Sequence, residues 1–428
     1  MTESNENICV KYVSFAQNTT NEGIMENELR TIDVSGKTIL VRIDVNVPMQ
    51  QGNITDDTRI RRALPTIKDL SNRGAKLVLI SHFSRPKGKR DTALSLKPIA
   101  EAMGEHLKRK VEFCDNAIGE DAKKAVSSLS NGDVLMLENI RFYAEEEQGD
   151  DAFSKELASL GELYVNDAFS CSHRAHASIA GIPNHLPSYY GYNMEEEVSM
   201  LTKVFSAPTS PVAALVGGSK VSTKMDLLHN LVEKVDILMI GGGMANTFLY
   251  AQGHDIGTSL CEKDLKETAL NVLEKAKKVG CDILLPTDVA LSKTFEDMPD
   301  TKMAYVNDMD ADMMALDVGA DTMLKWAAAI KNANTLIWNG PVGAFEMVPF
   351  DNSSLFLARI IANETQAGCL VSVAGGGDTV SALARAGLSD AVTYLSTAGG
   401  AFLEWLEGKE LPGVAAIQQH QTQVKEAS

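Results

Sequence analysis

Short apolar runs rich in Val, Ile and Leu alternate with longer segments of helical periodicity from about residue 38 to residue 400. This alternation is typical of βαβ units, in which parallel sheets carry helices on both faces. In the first half the strand candidates are TILVRIDVNVP, AKLVLISHFSRP, DVLMLENIRF and ELYVNDAFS. In the second half they are PVAALVGGSK, VDILMIGGGM, NTLIWNGPVG, CLVSVAGGGD and VTYLSTAGG. The pattern predicts an α/β fold.

The stretch VRIDVNVP, residues 41–48, alternates most regularly and predicts a half-buried strand that ends at Pro48. One side of this strand would be apolar, with Val41, Ile43, Val45 and Val47. The other side would carry Arg42, Asp44 and Asn46. Asp and Asn are poor strand formers and are costly when buried without partners. Their presence therefore indicates a function near the carboxyl end of the strand.

The strand candidates of the two halves end differently. Those of the first half end in polar or charged residues, whereas those of the second half end in glycine. Because open α/β sheets bind ligands at the carboxyl ends of their strands, the two halves should bind different ligands. Between them, NMEEEVSMLTKVFSAP predicts an interdomain helix that ends before Pro208. Its apolar positions are Met194, Val198, Leu201 and Phe205.

Length and charge narrow the class of protein. A chain of 428 residues is expected to form two domains, at roughly 100 to 200 residues per domain. The net charge of -17 argues against binding to nucleic acid or to a membrane surface, since both carry phosphate polyanions. The six cysteines lack a C-x-x-C pair, which favours free thiols in a reducing, cytoplasmic compartment. Residues 1–25 are polar and unpatterned, and we interpret them as a disordered extension.

Basic residues recur at the first-half strand ends: Arg59, His82, Arg85, Arg141, His173, Arg174 and His176. Several converging arginines would suit a small polyanion, although each taken alone could be a surface residue in a loose ion pair. Metal binding by the two histidines of HRAH is disfavoured, because Arg174 between them would repel a cation. The acidic runs 145–147 and 195–197 are interpreted as solvated surface.

In the second half, glycines would let the backbone approach phosphate oxygens at helix N-termini, although tight packing turns would also explain some of them. Lys220 and Lys224 in GGSKVSTK would share one face of a helix in its first turns. Cations there oppose the helix dipole unless an anion is bound. Asp378 follows GGG and could hold Mg²⁺ through a carboxylate oxygen.

The sequence does not match two familiar nucleotide-binding motifs, the Walker A loop and G-x-G-x-x-G. SGKT, residues 35–38, contains the tripeptide GKT that ends a Walker A loop. The first glycine of that loop would fall at Thr31, however, and GKT precedes a strand instead of following one. GGGMAN and GGGDTV carry Asn246 and Val380 at the third glycine position of G-x-G-x-x-G. Neither a P-loop nor a dinucleotide fingerprint is therefore expected.

The sequence resembles the phosphoglycerate kinase family, of bacterial type, from about residue 27 to residue 418. The motifs that carry the resemblance are VRIDVNVP, SHFSRPKG, LENIRFYAEEE, NDAFSCSHRAHAS, GGSKVSTK, GGGMANTF, WNGPVGAFE, AGGGDT and STAGGAFLEWLEGKELPGV.

The resemblance implies two doubly wound parallel-sheet, Rossmann-like domains joined by a hinge. The extreme C-terminus would return to the first domain. We predict a 3-phosphoglycerate-binding domain over residues 26–193 with 408–428, an interdomain helix over 194–206 and a nucleotide-binding domain over 207–407.

The resemblance also implies the roles of individual residues. Substrate would be bound by Asp44, Asn46, Arg59, His82, Arg85, Arg141 and Arg174. The nucleotide would be bound by Gly218, Lys220, Lys224, Asn339, Glu346, Gly376, Gly377, Asp378 and Thr379, with Asp378 as the Mg²⁺ ligand. Arg59 and Lys220 would be catalytic, ATP or ADP would be the co-substrate, and the chain would be a monomer.

Three positions depart from the usual family pattern: Ser84, where a glycine is common, and the pair Cys171-Ser172. They leave every charged position in place. The rival functions are a dinucleotide-dependent oxidoreductase, which the mismatched glycine motifs oppose, and a non-catalytic anion-binding or scaffold protein on the same fold. Loss of Lys220, Arg59 or Asp378 would mark the scaffold, and all three are present.

Overall fold

The computed structural model describes residues 28–427, so the extension predicted over residues 1–25 lies outside the described residues. The chain divides into two compact units. Of the described residues, 28–199 and 410–427 form the first unit and 200–409 form the second unit.

A parallel sheet of six strands, in the order β5-β6-β4-β1-β7-β8, forms the centre of the first unit. The strands are β1 (Thr38–Ile43), β4 (Lys76–Ile80), β5 (Glu112–Cys114), β6 (Val134–Leu137), β7 (Leu163–Asp167) and β8 (Ser188–Tyr190). A separate antiparallel hairpin joins β2 (Met49–Gln50) to β3 (Asn53–Ile54). In the centre of the sheet, Val41 pairs with Leu79 of β4 and with Val165 of β7.

Helices surround this sheet. They are α1 (Thr58–Asn72), α2 (Lys97–Leu107), α3 (Gly119–Ser127), α4 (Ala144–Gln148), α5 (Asp151–Ala158), α6 (Tyr192–Ser206) and α14 (Pro412–Ala427). Short 3₁₀ turns cover Glu28–Arg30, Thr92–Leu94, Ile140–Phe142, Phe169–Cys171 and Ile182–Asn184, and a π turn covers Ala177–Gly181.

The first strand differs from its prediction in two ways. It ends at Ile43, so Asp44 and Asn46 lie in the loop that follows and not on the strand. It is also buried on both faces, because Val41 packs into one hydrophobic core and Leu40 into the other. The half-buried strand predicted from alternation was therefore wrong. A central strand covered by helices on both sides has no solvated face.

The second unit has its own parallel sheet of six strands, in the order β11-β10-β9-β15-β16-β17. The strands are β9 (Val212–Val216), β10 (Ile237–Ile240), β11 (Asp282–Leu284), β15 (Thr335–Asn339), β16 (Val371–Gly375) and β17 (Tyr394–Ser396). The helices are α7 (Met225–Val232), α8 (Gly243–Ala251), α9 (Lys266–Val279), α10 (Ala320–Asn332), α11 (Asn352–Gln366), α12 (Gly377–Arg385) and α13 (Gly400–Leu406), with a 3₁₀ turn at Lys263–Leu265.

Every strand candidate from the sequence contains a strand of these two sheets, and the predicted α/β class with two parallel-sheet domains is confirmed. The second unit also contains an antiparallel sheet that was not predicted from the sequence. Its order is β13-β12-β14, from Thr301–Tyr305, Asp288–Ser292 and Met314–Val318. The outer strand β13 is largely exposed, so it lacks the apolar run that reveals a central parallel strand.

The helix predicted from residue 194 begins at Tyr192 and ends at Ser206. Its buried apolar side chains are Met194, Val198, Leu201 and Val204. The division between the two units falls within this helix, after Ser199. Its role as a hinge stays a prediction. Among residues 28–427, no helix has the length and apolar character that a membrane span requires.

Candidate active site

The predicted substrate residues of the first unit follow neighbouring strands of its sheet. Asp44 and Asn46 follow β1, His82 and Arg85 follow β4, Arg141 lies in the 3₁₀ turn after β6, and Arg174 lies beyond β7. Arg59 is in the first turn of α1. Because the carboxyl ends of parallel strands meet at one edge, the fold gathers residues that are far apart in the chain.

Asp44 and Arg59 form an ion pair in which Nη1 of Arg59 donates to Oδ2 of Asp44 at 2.7 Å. The same carboxylate accepts from the hydroxyl of Ser170 and from the backbone N–H of Asn46. Burial alone would raise the pKa of Asp44, but the neighbouring imidazole of His82, the charge of Arg59 and these hydrogen bonds lower it to about 2. Asp44 is therefore an anion that fixes the guanidinium of Arg59.

His82 is buried and faces Arg42, with Nη2 of Arg42 at 3.1 Å from Nδ1 of the imidazole. Burial, assisted by the charge of Arg42, lowers the pKa of His82 well below its usual value. An arginine only donates hydrogen bonds, so Nδ1 must accept and the proton of the neutral ring is on Nε2. His82 is thus a neutral hydrogen-bond donor through Nε2.

Arg42 was not among the predicted site residues, yet it organises the centre of this site. Its side chain is only 1% exposed, and its Nε donates at 2.9 Å to Oγ of Ser178. That hydroxyl in turn donates at 2.6 Å to the buried carboxylate of Glu146. The signal in the sequence was a charged residue inside an apolar strand, since such a residue must have an internal partner.

The interpretation of the acidic runs as solvated surface was wrong at Glu146 and Glu197, which are 0% and 2% exposed. Burial raises the pKa of Glu146, while the charge of Arg42 and the hydrogen bonds from Ser178 oppose that rise. Buried charges persist only with partners, and Glu146 has Ser178 and Arg42. Periodicity along one segment could not reveal these distant partners.

The remaining arginines differ in exposure. Arg141 is buried, and its Nη1 donates at 2.8 Å to the carbonyl of Ser84. Nε of Arg174 donates at 3.1 Å to Nε2 of His173. Arg85 is exposed, and within residues 28–427 its side chain makes no hydrogen bond or ion pair. The cluster therefore presents guanidinium groups whose charge is not fully neutralised by the protein.

Two family departures border this cluster. Ser84 has a φ of 56°, in the left-handed region where glycine is least strained, which is the physical reason a glycine suits this position. Cys171 is buried, and its Sγ lies 3.8 Å from Nη2 of Arg42 and 3.9 Å from Nδ1 of His82. Ligand atoms of Asp44, His82 and Cys171 lie within 4.8 Å of one another, but the guanidinium of Arg42 beside them opposes a metal ion.

The second unit contains a cavity of about 520 Å³ at the carboxyl edge of its parallel sheet. Its polar lining includes Gly218, Ser219, Gly242, Gly243, Thr258, Glu346 and Asp378. Its apolar lining includes Leu260, Phe295, Met314, Leu316 and Phe345, none of which the sequence reading singled out. A mixed lining of this kind suits a ligand with a flat apolar part and a charged part.

The predicted shared helix face of Lys220 and Lys224 was wrong. Helix α7 begins only at Met225, so Lys220 lies in the preceding turn and Lys224 directly precedes the helix. Nζ of Lys224 donates to the carbonyl of Gly217 at 2.6 Å and to Oδ1 of Asn339 at 2.6 Å. Lys220 is exposed, and within the described part of the chain its ammonium makes no hydrogen bond or ion pair.

Burial lowers the pKa of Lys224 to about 8, and the negative charge of Asp378 partly opposes this shift. Lys224 is half-buried, and its hydrogen bonds go to neutral oxygens that do not neutralise its charge. A phosphate oxygen at this point would restore its full charge.

The ends of β15 and β16 are tied together beside Lys224. Nδ2 of Asn339 donates at 2.9 Å to the carbonyl of Gly375, and the N–H of Gly340 donates at 2.7 Å to Oγ1 of Thr379. Gly376 has a φ of 97° and precedes α12, a conformation that other residues rarely adopt. The N-terminus of α12 thus opens at this edge of the sheet with Gly377 and Asp378 exposed.

Asp378 and Glu346 both contribute exposed carboxylates to the cavity. Mg²⁺ in nucleotide sites commonly uses one or two carboxylates together with substrate phosphates. A carboxylate in the first turn of α12, facing the charge of Lys224, fits that donor set. The residues present are therefore compatible with a bound magnesium nucleotide.

Transfer of a phosphoryl group between two anions needs cations and backbone N–H groups around both reactants. The arginine cluster of one α/β unit and the glycine-lined cavity of the other, with Lys224 near Asp378 of that cavity, define a phosphotransferase. The comparisons with known proteins agree. The family model described as phosphoglycerate kinase matches residues 29–409, and the chain belongs to the phosphoglycerate kinase family. It is accordingly an enzyme that transfers phosphoryl groups with a carboxyl group as acceptor.

Curated relatives and solved structures give the same result. The phosphoglycerate kinase of Rhodopseudomonas palustris is 54% identical over 390 residues, 91% of this chain and 98% of the relative. That of Granulibacter bethesdensis is 53% identical over 387 residues, 90% and 98% of the two chains. The structure of phosphoglycerate kinase from Coxiella burnetii has a TM-score of 0.86 at 38% identity, covering 91% of this chain and 98% of that one. The enzyme from Pyrococcus horikoshii has a TM-score of 0.75 at 29% identity, with coverage of 93% and 100%.

Proposed function

We propose that this chain transfers a phosphoryl group reversibly and in line between the acyl phosphate of 1,3-bisphosphoglycerate and MgADP, giving 3-phosphoglycerate and MgATP in glycolysis and gluconeogenesis. The observation that carries the proposal is the cluster of Arg59, Arg141 and Arg174 around neutral His82 and ionised Asp44. Such a cluster suits a small, multiply charged carboxylate and phosphate ester.

On the first unit, the proposed substrate residues are Asp44, Asn46, Arg59, His82, Arg85, Arg141 and Arg174. Asp44 would orient Arg59, since the two are already paired at 2.7 Å. Oδ1 of Asn46 accepts the N–H of Ser84 at 2.8 Å and so would hold the loop that carries Arg85. His82 would donate through Nε2 to a substrate oxygen.

On the second unit, the proposed nucleotide residues are Gly218, Lys220, Lys224, Asn339, Glu346, Gly376, Gly377, Asp378 and Thr379. Lys224 and the N-terminus of α12 would face phosphates, and Glu346 would face the ribose. Asp378 would hold Mg²⁺, which when bound neutralises charge on the nucleotide phosphates.

The reaction needs no general base, because both possible nucleophiles, a carboxylate and a phosphate oxygen, are already anionic. The site agrees with this, since burial lowers the pKa of His82 well below its usual value and lowers that of His176 to about 4, leaving both neutral at pH 7. Catalysis would rest on positioning and charge. Arg59 and Lys220 would stabilise the transferring group, and the ammonium of Lys220 has no competing hydrogen bond among the described residues.

The two sets of residues belong to different units, so we propose that a hinge at α6 closes the enzyme around both substrates. Closure would exclude water from a reactive acyl phosphate. We also propose that the enzyme is a cytoplasmic monomer that binds neither nucleic acid nor membranes. Its net charge of -17 supports the absence of those two partners.

A coupled assay of MgATP-dependent phosphorylation of 3-phosphoglycerate tests the proposal, with the parent beside Arg59→Ala and Lys220→Ala. Both variants should lose activity by on the order of 100-fold or more while remaining folded, because each removes charge stabilisation of the transition state. Arg61→Ala and Lys277→Ala are matched controls, since both remove exposed cations from the same two units. A folded parent without activity would instead support the scaffold alternative.

A further inference from the structure

The motif GGGMANTF lacks the third glycine of a dinucleotide fingerprint, and the structure shows what its polar residues do instead. Asn246 and Thr247 of α8 are 3% and 0% exposed. Nδ2 of Asn246 donates at 3.2 Å to the carbonyl of Leu260, and the N–H of Glu262 donates at 3.1 Å to Oγ1 of Thr247. Helix α8 thus anchors the segment of residues 260–262.

The carboxylate of Glu262 extends from this anchored segment to the turn that contains Lys220. Oε2 accepts the N–H of Ser222 at 2.9 Å, and Oε1 accepts its hydroxyl at 2.5 Å. Burial alone would raise the pKa of Glu262, but the hydrogen bonds from Ser222 and Val221 and the charge of Lys220 lower it. Hydrogen bonds to an ionised carboxylate are about twice as strong as neutral ones.

The same segment borders the nucleotide cavity, because Leu260 lines it together with Ser219 and Gly243. A Cβ at position 243 would lie 2.8 Å from the carbonyl oxygen of Ser219 and 3.2 Å from Cδ2 of Leu260. The cavity wall and the Lys220 turn are therefore packed against each other at this point.

We propose that Glu262 is a positioning residue for Lys220. Its carboxylate fixes residues 221–222, so the ammonium of Lys220 is held where the phosphoryl group passes. The buried side chain of Val221 and the bond from Oγ1 of Thr223 to the carbonyl of Lys220, at 2.9 Å, also hold the turn, whereas both hydrogen bonds from the exposed Ser222 go to Glu262. The inference rests on the proposed catalytic role of Lys220.

The test compares Glu262→Ala, Glu262→Gln and Glu262→Asp with the parent. Glu262→Ala should lower kcat on the order of tenfold, because a misplaced catalytic group loses transition-state stabilisation. KM for 3-phosphoglycerate should change by no more than about twofold, since that site is on the other unit. Glu262→Gln and Glu262→Asp each keep an acceptor oxygen and should recover part of kcat.

Two further measurements separate positioning from a merely structural effect. In the Lys220→Ala background, Glu262→Ala should lower kcat no further, because there is no ammonium left to position. Hydrogen exchange of the amides of residues 221–222 should become faster in Glu262→Ala. Glu274→Ala is the control, since Glu274 is an exposed residue of α9 that pairs with Lys278 at 2.7 Å and should change neither quantity.

An unchanged exchange rate, or faster exchange with an unchanged kcat, would overturn the positioning role. Additive losses in the double variant would overturn it as well. If instead Lys220→Ala keeps full activity, the catalytic assignment itself fails. If the folded parent is inactive, the proposed function fails, while hydrogen exchange still reports whether Glu262 holds the turn.

Discussion

At the scale of single residues, the two sites are defined by which groups are charged. Burial and the charge of Arg42 keep His82 neutral, Arg59 helps to keep Asp44 ionised, and Lys224 is a half-buried cation whose hydrogen-bond partners are neutral oxygens. Neutral histidines among arginines leave the positive charge on groups that cannot act as bases. This distribution suits charge stabilisation better than proton transfer.

The lowered pKa of Lys224 predicts that the enzyme takes up protons when a nucleotide binds. Its pKa of about 8 lies below the usual value of a lysine, so near pH 8 about half of the free enzyme carries a neutral amine. A nucleotide phosphate favours the charged form, and binding of MgADP should therefore take up about half a proton at pH 8. Isothermal titration calorimetry in buffers of different ionisation enthalpy measures this uptake.

The control for this prediction is Lys224→Arg, whose guanidinium stays charged across the range. MgADP should bind to this variant without proton uptake. Equal uptake by the parent and by Lys224→Arg would assign the proton to another group.

At the scale of elements, buried carboxylates accept hydrogen bonds from the first N–H groups of two helices, α6 and α11. Oδ1 of Asp167 accepts the N–H groups of Asn193 and Met194 at the start of α6, at 2.8 Å and 3.1 Å. In the second unit, Oδ2 of Asp317 accepts the N–H of Ser353 at the start of α11 at 3.1 Å. Both carboxylates satisfy N–H groups that a helix N-terminus leaves unpaired.

Asp167 makes the stability of the first unit depend on pH. Burial raises its pKa to about 7, against hydrogen bonds from Thr66, Met194 and Asn193 that lower it. Because the pKa of Asp167 is higher in the folded state than its value of about 4 in the unfolded state, the native state binds more protons than the unfolded state between these two pKa values. The free energy of unfolding should therefore fall as the pH rises from about 5 to 7, by on the order of 1 kcal/mol per pH unit from this group.

Thermal unfolding of Asp167→Asn between pH 5 and pH 7.5 checks this sign. The variant should lose stability with rising pH less steeply than the parent, since its side chain does not titrate. Asp115→Asn, which changes an exposed carboxylate of the same unit, should keep the slope of the parent. A parallel slope for parent and Asp167→Asn would show that Asp167 is ionised throughout the range.

At the scale of the whole molecule, the chain forms two units, with α6 at their boundary and residues 410–427 returning to the first. The proposed substrate residues are all in the first unit, and the proposed nucleotide residues are all in the second. Direct transfer requires that the two bound ligands meet, which is the reason for the proposed hinge.

Small-angle scattering should therefore show a smaller radius of gyration when 3-phosphoglycerate and MgADP are bound together, a pair that cannot react. Each ligand alone is the control and should cause a smaller change, because one ligand contacts only one of the two sites. No compaction with both ligands bound would contradict the hinge.

The local pattern of apolar, polar and glycine residues was sufficient to predict the central strands, the two ligand-binding edges and the family. Runs of branched apolar residues identified the core strands of both parallel sheets, because a strand buried on both faces must be apolar along its length. The contrast between polar and glycine-ended strands predicted two different ligand edges. The long motifs predicted the family, which the comparisons established.

The tertiary structure decided what depends on distant partners. Arg42 and Ser178 are 136 residues apart in the chain, so neither the burial of that arginine nor the neutral state of His82 follows from local pattern. Lys220 and Lys224 look alike in sequence, yet Lys220 is exposed, whereas Lys224 is half-buried and bonds to Asn339. Chain periodicity determines which residues are apolar and where strands lie, whereas the ionisation of a side chain is set by burial and neighbouring charge, which exist only once the fold is formed.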